Sequence, residues 1–66
     1  VNQQDIDGFT PLHYACSCGY TDTVRLLLNH TGIEVNLVDK YGDTSLHLAV
    51  RNERYDVVTL MLSQVS

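Results

Sequence analysis

Long hydrophobic runs are absent from this 66-residue sequence, in which no apolar stretch exceeds three residues, the length of Leu26 to Leu28. A membrane-spanning helix needs about 20 such residues, and the first residues lack the charged and apolar regions of a signal peptide. Basic residues are scarce too, since four Lys and Arg stand against eight Asp and Glu. With no basic face to displace counterions from a phosphate backbone, we expect neither a nucleic-acid partner nor direct membrane insertion.

Cysteine is also rare, with only Cys16 and Cys18 in the chain. Two cysteines are too few for a disulfide framework, and a bridge between these two would close a loop too short to restrict the unfolded chain. Two free thiols are typical of the reducing cytosol or nucleus, so an intracellular location, cytoplasmic or nuclear, is expected. A core of this size is only marginally stabilising and usually needs a metal, a partner or neighbouring repeats.

The sequence contains an internal repeat. A shift of 34 places aligns "GFTPLHYACSCGYTDTVRLLL", residues 8–28, with "GDTSLHLAVRNERYDVVTLML", residues 42–62, without a gap. Nine residues recur in this register: Gly8, Thr10, Leu12, His13, Ala15, Asp22, Val24, Leu26 and Leu28 match Gly42, Thr44, Leu46, His47, Ala49, Asp56, Val58, Leu60 and Leu62. Nine identities in one register are hard to obtain by chance, so the chain contains two copies of one unit.

Each copy is predicted to form two short helices. Thr10 is a good N-cap, and Pro11 suits the first helical position. The first helix should run to Ser17 or Cys18, where Gly19 offers a left-handed stop. The second helix should be capped by Thr21 or Asp22 and end near Asn29. The third should run from Ser45 to about Arg51, and the fourth from about Tyr55 to Ser63. Gly42 is expected to supply a positive φ angle in the connecting segment.

Both copies resemble ankyrin repeats, in the segments "DGFTPLHYAC" with "DTVRLLL" and "YGDTSLHLAV" with "DVVTLML". The resemblance covers nearly the whole chain. It implies an all-α solenoid of stacked helix-turn-helix pairs with extended, hairpin-like loops. It also implies non-catalytic binding of other proteins and contact with neighbouring ankyrin repeats. We divide the chain into a tail of a preceding repeat or finger (1–4), repeat 1 (5–37) and repeat 2 (38–66).

Two observations indicate a segment of a longer array. "VNQQDIDG" at the start aligns with "VNLVDKYG" 34 residues later, so Val1 and Asn2 occupy the place of residues that follow a completed repeat. The apolar residues of the last predicted helix are unshielded, whereas terminal repeats normally carry a polar outer face.

Repeat 2 also departs from the family pattern at Ser45, where proline is usual, and at Glu53, which stands in the place of Gly19. A left-handed non-glycine residue costs about 1 kcal/mol or more, so we expect a looser turn there or one shifted onto Asn52.

The segment "HYACSCG" brings His13, Cys16 and Cys18 close together and raises the possibility of a metal or redox site. In repeat 2, however, Cys16 becomes Val50, so its thiol behaves as a small apolar residue. The three side chains cannot easily meet at one ion on a helix, and no fourth ligand is evident. We expect Cys16 in the core and Cys18 exposed, with no metal and no cofactor. The resemblance implies that His13 and His47 bind loop backbone.

The expected core comprises Leu12, Ala15, Val24, Leu27, Leu46, Ala49, Val58 and Met61. The resemblance implies a binding surface made by the finger tips and the outward side of the first helices. Carried over residue by residue, it gives Ile6, Asp7, Phe9, Ser17 and Cys18 in repeat 1 and Lys40, Tyr41, Asp43, Arg51 and Asn52 in repeat 2. These positions differ between the repeats while the scaffold positions agree. Exposed aromatic and arginine side chains contribute strongly to interfaces.

Two readings of the function stay open. The first is a protein-binding module, and the second is a structural spacer inside a larger ankyrin-containing enzyme, channel or scaffold. Catalysis is not expected, because no nucleophile elbow or phosphate-binding glycine loop is present. The resemblance also implies one modification, hydroxylation by a 2-oxoglutarate-dependent asparagine hydroxylase. Asn36 fits its pattern, with Leu28 eight positions earlier; alternatively Asn36 only stabilises its own turn.

Overall fold

The computed structural model describes residues 2–63, and within that range it contains four helices and no strand. They are α1 (Pro11–Cys18), α2 (Thr21–Leu28), α3 (Ser45–Arg51) and α4 (Tyr55–Ser63). Helices α1 and α2 belong to repeat 1, and α3 and α4 to repeat 2. The predicted all-α fold with two helices per repeat is confirmed.

The two helix pairs stack side by side. Within each repeat the first helix packs on the second, and between the repeats α1 packs on α3 and α2 on α4. The first helices therefore form one layer of the stack and the second helices another. The segment between α2 and α3 crosses from one layer to the other and carries turns at residues 30–32 and 35–36.

The first helix of each repeat begins with a reciprocal cap. In α1 the Thr10 Oγ1 accepts a hydrogen bond from the His13 backbone N–H at 3.2 Å, and the Thr10 N–H donates to His13 Nδ1 at 3.1 Å. Thr44 and His47 repeat both bonds at α3. Each cap satisfies donors that the first helical turn leaves free, typically at about 1 kcal/mol. Because the same pair recurs, α1 and α3 begin at equivalent residues.

The turns between paired helices differ in their strain. Gly19 takes the left-handed conformation with φ +79° and ends α1, as predicted. Glu53 holds the equivalent conformation in repeat 2, with φ 58°. The alternative of a turn shifted onto Asn52 is wrong, since Asn52 has φ −93°. The cap of α2 was also predicted wrongly: the N-cap is Tyr20, which makes no side-chain capping bond.

The core lies between the repeats. One cluster of buried side chains comprises Leu12, Ala15, Cys16, Val24, Ala49, Val57 and Met61. Of the predicted core, Leu12, Ala15, Val24, Ala49 and Met61 are buried, whereas Leu27, Leu46 and Val58 are half-buried against the cluster. Val57 and Leu48 are buried but were not predicted. Burying each larger aliphatic side chain contributes about 1.5–3 kcal/mol.

Candidate partner-binding surface

Two turns project ahead of α1 and α3; we call residues 5–9 finger 1 and residues 39–43 finger 2. In each finger an aspartate side chain holds the turn by accepting hydrogen bonds from backbone N–H groups. In finger 1 the Asp5 Oδ1 accepts the N–H groups of Asp7 and Phe9, both at 2.9 Å. In finger 2 the Asp39 Oδ1 accepts from Tyr41 at 2.8 Å and Asp43 at 3.0 Å. Sequence reasoning missed this pair, although Asp5 and Asp39 also lie 34 positions apart.

The second carboxylate oxygens of these aspartates have different surroundings. Asp5 Oδ2 accepts the hydroxyl hydrogen of Tyr14, and this bond lowers the pKa of Asp5 and raises the pKa of Tyr14. Asp39 is buried, and its Oδ2 has no partner among the described residues. The position of Tyr14 is taken in repeat 2 by Leu48, which has no hydroxyl to donate. The two fingers thus share one fold and differ in one polar contact.

The fingers touch each other through their backbones. The N–H of Lys40 donates to the Asp7 carbonyl at 2.9 Å. A Cβ on Gly8 would lie only 2.8 Å from Asp39 Cα, closer than real Cβ contacts come. Position 8 therefore requires glycine for two reasons. A side chain would clash with the Asp39 backbone, and other residues rarely adopt its φ angle of +84°. The contact fixes the spacing of the two finger tips.

His13 links α1 to finger 2. Its Nε2 lies 3.0 Å from the Asp43 carbonyl oxygen, and its Nδ1 accepts from Thr10. The neutral tautomer with hydrogen on Nε2 satisfies both contacts, and the ring is only 1% exposed. The expected role of His13 in binding loop backbone is therefore confirmed. His47 is exposed and makes only the capping contacts to Thr44 among the described residues.

Two ion pairs lie on the finger surface. Lys40 Nζ is 2.7 Å from Asp7 Oδ1 and 5.2 Å from the centre of the Tyr41 ring. The hydrogen bond from Lys40 to Asp7 raises the pKa of Lys40. Arg51 pairs with Asp43 at 2.8 Å, and its hydrogen bond lowers the pKa of that carboxyl group. The first pair crosses the repeats, whereas the second joins finger 2 to α3.

The ends of α1 and α3 also meet. Asn52 Nδ2 lies 3.3 Å from the Ser17 Oγ, and Arg54 Nε donates to the Ser17 carbonyl at 3.0 Å. Cys18 is exposed beside this contact, with a free thiol. The structure thus brings predicted positions of both repeats together twice, at Asp7 with Lys40 and at Ser17 with Asn52.

Exposure differs among the ten predicted positions. Six are exposed: Ile6, Cys18, Lys40, Tyr41, Arg51 and Asn52. Four are half-buried: Asp7, Phe9, Ser17 and Asp43. The Phe9 ring packs against the rings of His13 and Tyr14, with centroid distances of 5.9 and 5.4 Å. Ile6 and Tyr41, which are 97% and 68% exposed, are therefore the accessible large apolar side chains of the finger tips.

The three residues of the "HYACSCG" segment have separate surroundings. Cys16 is fully buried with its Sγ 3.5 Å from Met61 Sδ, and burial raises the pKa of its thiol to about 12. His13 contacts Thr10 and the Asp43 carbonyl, while Cys18 is at the surface. Within residues 2–63 no three His, Cys, Asp or Glu side chains lie close enough together to hold a metal ion.

Asn36 lies in an exposed turn between the repeats. Its side chain makes no hydrogen bond within residues 2–63, so the structure does not supply the turn-stabilising contact of the alternative interpretation. Asn2, 34 positions earlier, behaves differently: its Nδ2 donates to the Gly32 carbonyl at 2.8 Å and its Oδ1 accepts from Glu34 at 2.9 Å. Asn2 thus holds the loop that follows α2 through two hydrogen bonds.

The family assignment rests on the repeated cap, the finger geometry and a direct comparison. A family model described as ankyrin repeats (3 copies) matches residues 1–66. The chain belongs to the ankyrin-repeat family. Ankyrin repeats generally mediate protein–protein interaction and form a non-catalytic fold.

Similar proteins share the repeats but are much longer. Human BCL-6 corepressor-like protein 1 is 43% identical over 63 residues, which are 96% of this chain and 4% of that protein. Mouse Rabankyrin-5 is 42% identical over 57 residues, 86% of this chain and 5% of the relative. A putative ankyrin repeat protein of Rickettsia bellii is 34% identical over 62 residues, 92% of this chain and 34% of its own length. The ankyrin chain thus spans a small part of these relatives.

A solved structure shows the same fold. It is described as the predatory endopeptidase Bd0816 from Bdellovibrio bacteriovorus in complex with immunity protein Bd3460. Its matching chain has a TM-score of 0.91 and 35% identity, covering 98% of this chain and 33% of that one.

Within residues 2–63, no helix combines the length and the hydropathy that spanning a membrane requires.

Proposed function

We propose that this pair of ankyrin repeats binds a protein partner, without catalysis, through the finger tips and the outward side of α1 and α3. The observation that carries the proposal is the contrast between surface and scaffold. Caps, finger aspartates and glycines recur between the repeats, whereas Ile6, Asp7 and Phe9 are replaced by Lys40, Tyr41 and Asp43. A fixed scaffold with varied neighbouring surface side chains is suited to recognising a particular partner.

The surface chemistry favours a partner with both apolar and charged groups. Ile6 and Tyr41 offer apolar contacts on adjacent fingers. Near them, Arg51 is 61% exposed although it pairs with Asp43, so it can still donate hydrogen bonds to a partner. An arginine held by a carboxylate is already oriented, which lowers the entropic cost of binding. Tyr41 and Arg51 are therefore the residues with the largest expected contribution to affinity.

A crosslinking experiment in the full-length parent protein tests this surface. A photo-reactive amino acid at position 41 should crosslink to a partner, while one at position 55 should not, since Tyr55 is exposed at the start of α4 rather than on a finger. The partner identified in this way is then purified and its affinity measured by calorimetry. The double variant Tyr41→Ala, Arg51→Ala should bind at least about tenfold more weakly.

A matched control separates loss of binding from loss of structure. The variant Tyr55→Ala, Arg25→Ala also removes one exposed tyrosine and one paired arginine, because Arg25 pairs with Asp22 at 3.2 Å on α2. It should bind like the parent protein. If both double variants bind equally well, or if position 41 yields no crosslink, the surface is not the binding site. The structural spacer would then be the better account.

We also propose that the exposed Asn36 accepts a hydroxyl group from a 2-oxoglutarate-dependent hydroxylase. One O₂ would oxidise 2-oxoglutarate to succinate and CO₂ and transfer its second oxygen atom to the Asn36 Cβ. The side chain is exposed and makes no hydrogen bond to any other residue in the described range 2–63, and this supports access to Asn36 together with the neighbouring Val35. Peptide mass analysis after co-expression with such a hydroxylase should show one added oxygen at Asn36 and none in an Asn36→Ala variant. Unmodified Asn36 would contradict the proposal.

A further inference from the structure

The ion pair between Arg51 and Asp43 presents its positive end to solvent. The Arg51 side chain is 61% exposed, whereas that of Asp43 is 14% exposed. The contact joins Arg51 Nη1 to Asp43 Oδ2 at 2.8 Å. An arginine fork carries more N–H donors than one carboxylate oxygen accepts. Arg51 therefore keeps donors for a bound molecule while Asp43 holds the guanidinium in place.

The carboxylates of the two fingers are already committed. Two of them accept backbone N–H groups and hold the finger turns, and two pair with a cation; these are Asp5 with Asp39, and Asp7 with Asp43. Asp39 is also only 5% exposed, so a partner has little access to it. Among the described residues, the side-chain hydrogen-bonding capacity left to this surface is mainly that of donors, on Arg51 and on the half-exposed Lys40. A bound protein segment has to supply the acceptors.

An aromatic ring lies beside these donors. Tyr41 is 68% exposed, and Lys40 Nζ lies 5.2 Å from the centre of its ring. A cation at this distance from an aromatic ring is attracted to it. Ile6 extends the apolar surface on the adjacent finger, where it is 97% exposed. The bound segment therefore needs an apolar side chain next to its acceptor.

Stacked repeats leave these positions open. Asp7 is the equivalent of Tyr41, and its side chain is 41% exposed although repeat 2 lies beside it. Lys40 has repeat 1 beside it and is 51% exposed. Ser17, the short equivalent of Arg51, also keeps part of its surface open next to repeat 2. The finger tips and the end of α3 thus stay accessible when repeats are stacked on both sides.

We propose that the bound partner segment is acidic: an aspartate or glutamate side chain accepts hydrogen bonds from the Arg51 guanidinium, and a neighbouring apolar side chain packs on the Tyr41 ring. This inference rests on the proposed function, because it names the chemistry of the partner that the finger surface binds. A carboxylate suits Arg51 since the two groups form charge-assisted hydrogen bonds, which are stronger than those to a neutral carbonyl. The Lys40 ammonium group adds a second favourable charge nearby.

Selection from a displayed library of random peptides, on the immobilised full-length parent protein, tests the proposal. Peptides that also bind the double variant Tyr41→Ala, Arg51→Ala are removed, so that the retained peptides depend on the finger surface. We expect these to be enriched in Asp and Glu next to aromatic or aliphatic residues. Selection on Arg51→Glu should instead enrich Lys and Arg. Arg25→Glu is the matched control, because Arg25 also pairs with an aspartate but lies on α2, and it should yield the acidic peptides of the wild type.

Calorimetry on one retained synthetic peptide measures the contact itself. Replacing its acidic residues by Asn or Gln should weaken binding to the wild type at least about tenfold, and added salt should weaken binding of the unmodified peptide. The same replacement should change binding to Arg51→Gln much less, because the carboxylate has then lost its partner. Circular dichroism checks that the Arg51 variants keep their helices.

The outcomes separate this inference from the proposed function. Retained peptides that are neutral or basic overturn the inference and leave the proposed function intact; basic peptides are what the formal charge of −4 alone would favour. An equal loss of affinity in wild type and Arg51→Gln would place the carboxylate elsewhere and overturn it as well. If no peptide depends on Tyr41 and Arg51, the inference is also wrong, and the crosslink at position 41 then decides whether the proposed function fails with it.

Discussion

Repeat 1 and repeat 2 carry identical residues at ten equivalent positions, and yet the same residue can be buried in one repeat and exposed in the other. His13 is enclosed by α1 and finger 2, whereas His47 is open to solvent. Leu12 is buried, whereas Leu46 is only half-buried. The reverse holds on the opposite side, where Leu48 is buried and Tyr14 is exposed. Burial in this molecule therefore follows from which repeat lies next to a face.

The comparison separates two kinds of interaction. Caps and finger turns are local, so both repeats form them from their own residues. Contacts such as those of His13, Cys16 and Gly8 need the adjacent repeat and occur once within residues 2–63. In repeat proteins, stability is approximately the sum of intrinsic terms and nearest-neighbour terms. Paired substitutions at equivalent positions measure the nearest-neighbour term by difference.

The largest difference is expected in thiol reactivity at one repeat position. Cys16 is buried with a pKa raised to about 12, so only about one ten-thousandth of it is thiolate at pH 8. In a Val50→Cys variant the thiol stands at the equivalent, exposed position. It should react with an aromatic disulfide reagent at least about 100-fold faster than Cys16. Cys18, which is exposed, supplies the internal reference. Equal protection of Cys16 and Cys18 would show that the face of α1 is assigned wrongly.

Truncation of the shared leucine should show the next largest difference. Leu12→Ala removes a fully packed side chain from the core between the repeats and should cost about 2–5 kcal/mol of the free energy of unfolding. Leu46→Ala removes a half-buried side chain from a groove that Leu28 and Met61 also line, and should cost about 1 kcal/mol. Urea unfolding followed by circular dichroism at low concentration measures both. Similar losses would mean that Leu46 is as fully packed as Leu12.

Alanine at the finger glycines isolates the contact between the fingers. Both Gly8 and Gly42 have positive φ, at +84° and +81°, so each substitution incurs the left-handed penalty of about 1 kcal/mol. Only Gly8→Ala also drives a Cβ into the Asp39 backbone, and its total cost should reach about 2–4 kcal/mol. The measurement is the same urea unfolding. If Gly42→Ala were equally costly, the penalty would be conformational in both and the close approach would contribute nothing.

The histidines provide the next comparison. His13→Ala removes a buried ring, its contact with the Asp43 carbonyl and half of the α1 cap, and should cost about 2–3 kcal/mol. His47→Ala removes only the exposed capping contacts and should cost about 0.5–1 kcal/mol. Hydrogen exchange adds a specific readout, because the amides of finger 2 should lose protection in His13→Ala but not in His47→Ala. An unchanged finger 2 would contradict the bridging role of His13.

Local features of the fold could be predicted from the sequence, because they depend on residues close together in the chain. Thr10, Pro11 and Gly19 gave the bounds of α1, and the 34-residue spacing carried them to α3. The start of α2 was missed because Tyr20 has no capping side chain. Buried Val57 was missed because the repeat alignment equates it with Thr23, which faces solvent. Its burial depends on repeat 1, which no local pattern encodes.

The candidate surface likewise combines features that could be predicted from the sequence with features that depend on how the two repeats pack. Its ten positions came from the family resemblance, but the pairing of Asp7 with Lys40 depends on the distance between the stacked fingers. The role of Phe9 also depends on neighbours, since its ring packs on His13 and Tyr14 rather than pointing freely outward. The Asp5 and Asp39 pair was within reach of the sequence, because the alignment of "VNQQDIDG" with "VNLVDKYG" already places the two aspartates at one repeat position.

The smallest expected effect is a gain of stability at the turn of repeat 2. Glu53 adopts the left-handed conformation that Gly19 adopts in repeat 1, with φ 58°. Glu53→Gly relieves that strain. It also loses the Glu53 contact with the Tyr55 hydroxyl at 3.1 Å and raises the conformational entropy of the unfolded chain. The balance should be a gain of about 0.5 kcal/mol. Glu53→Ala is the control, because it loses the same contact, keeps the strained backbone and should give no gain. If both variants changed the urea midpoint equally, the two turns would not differ in backbone strain.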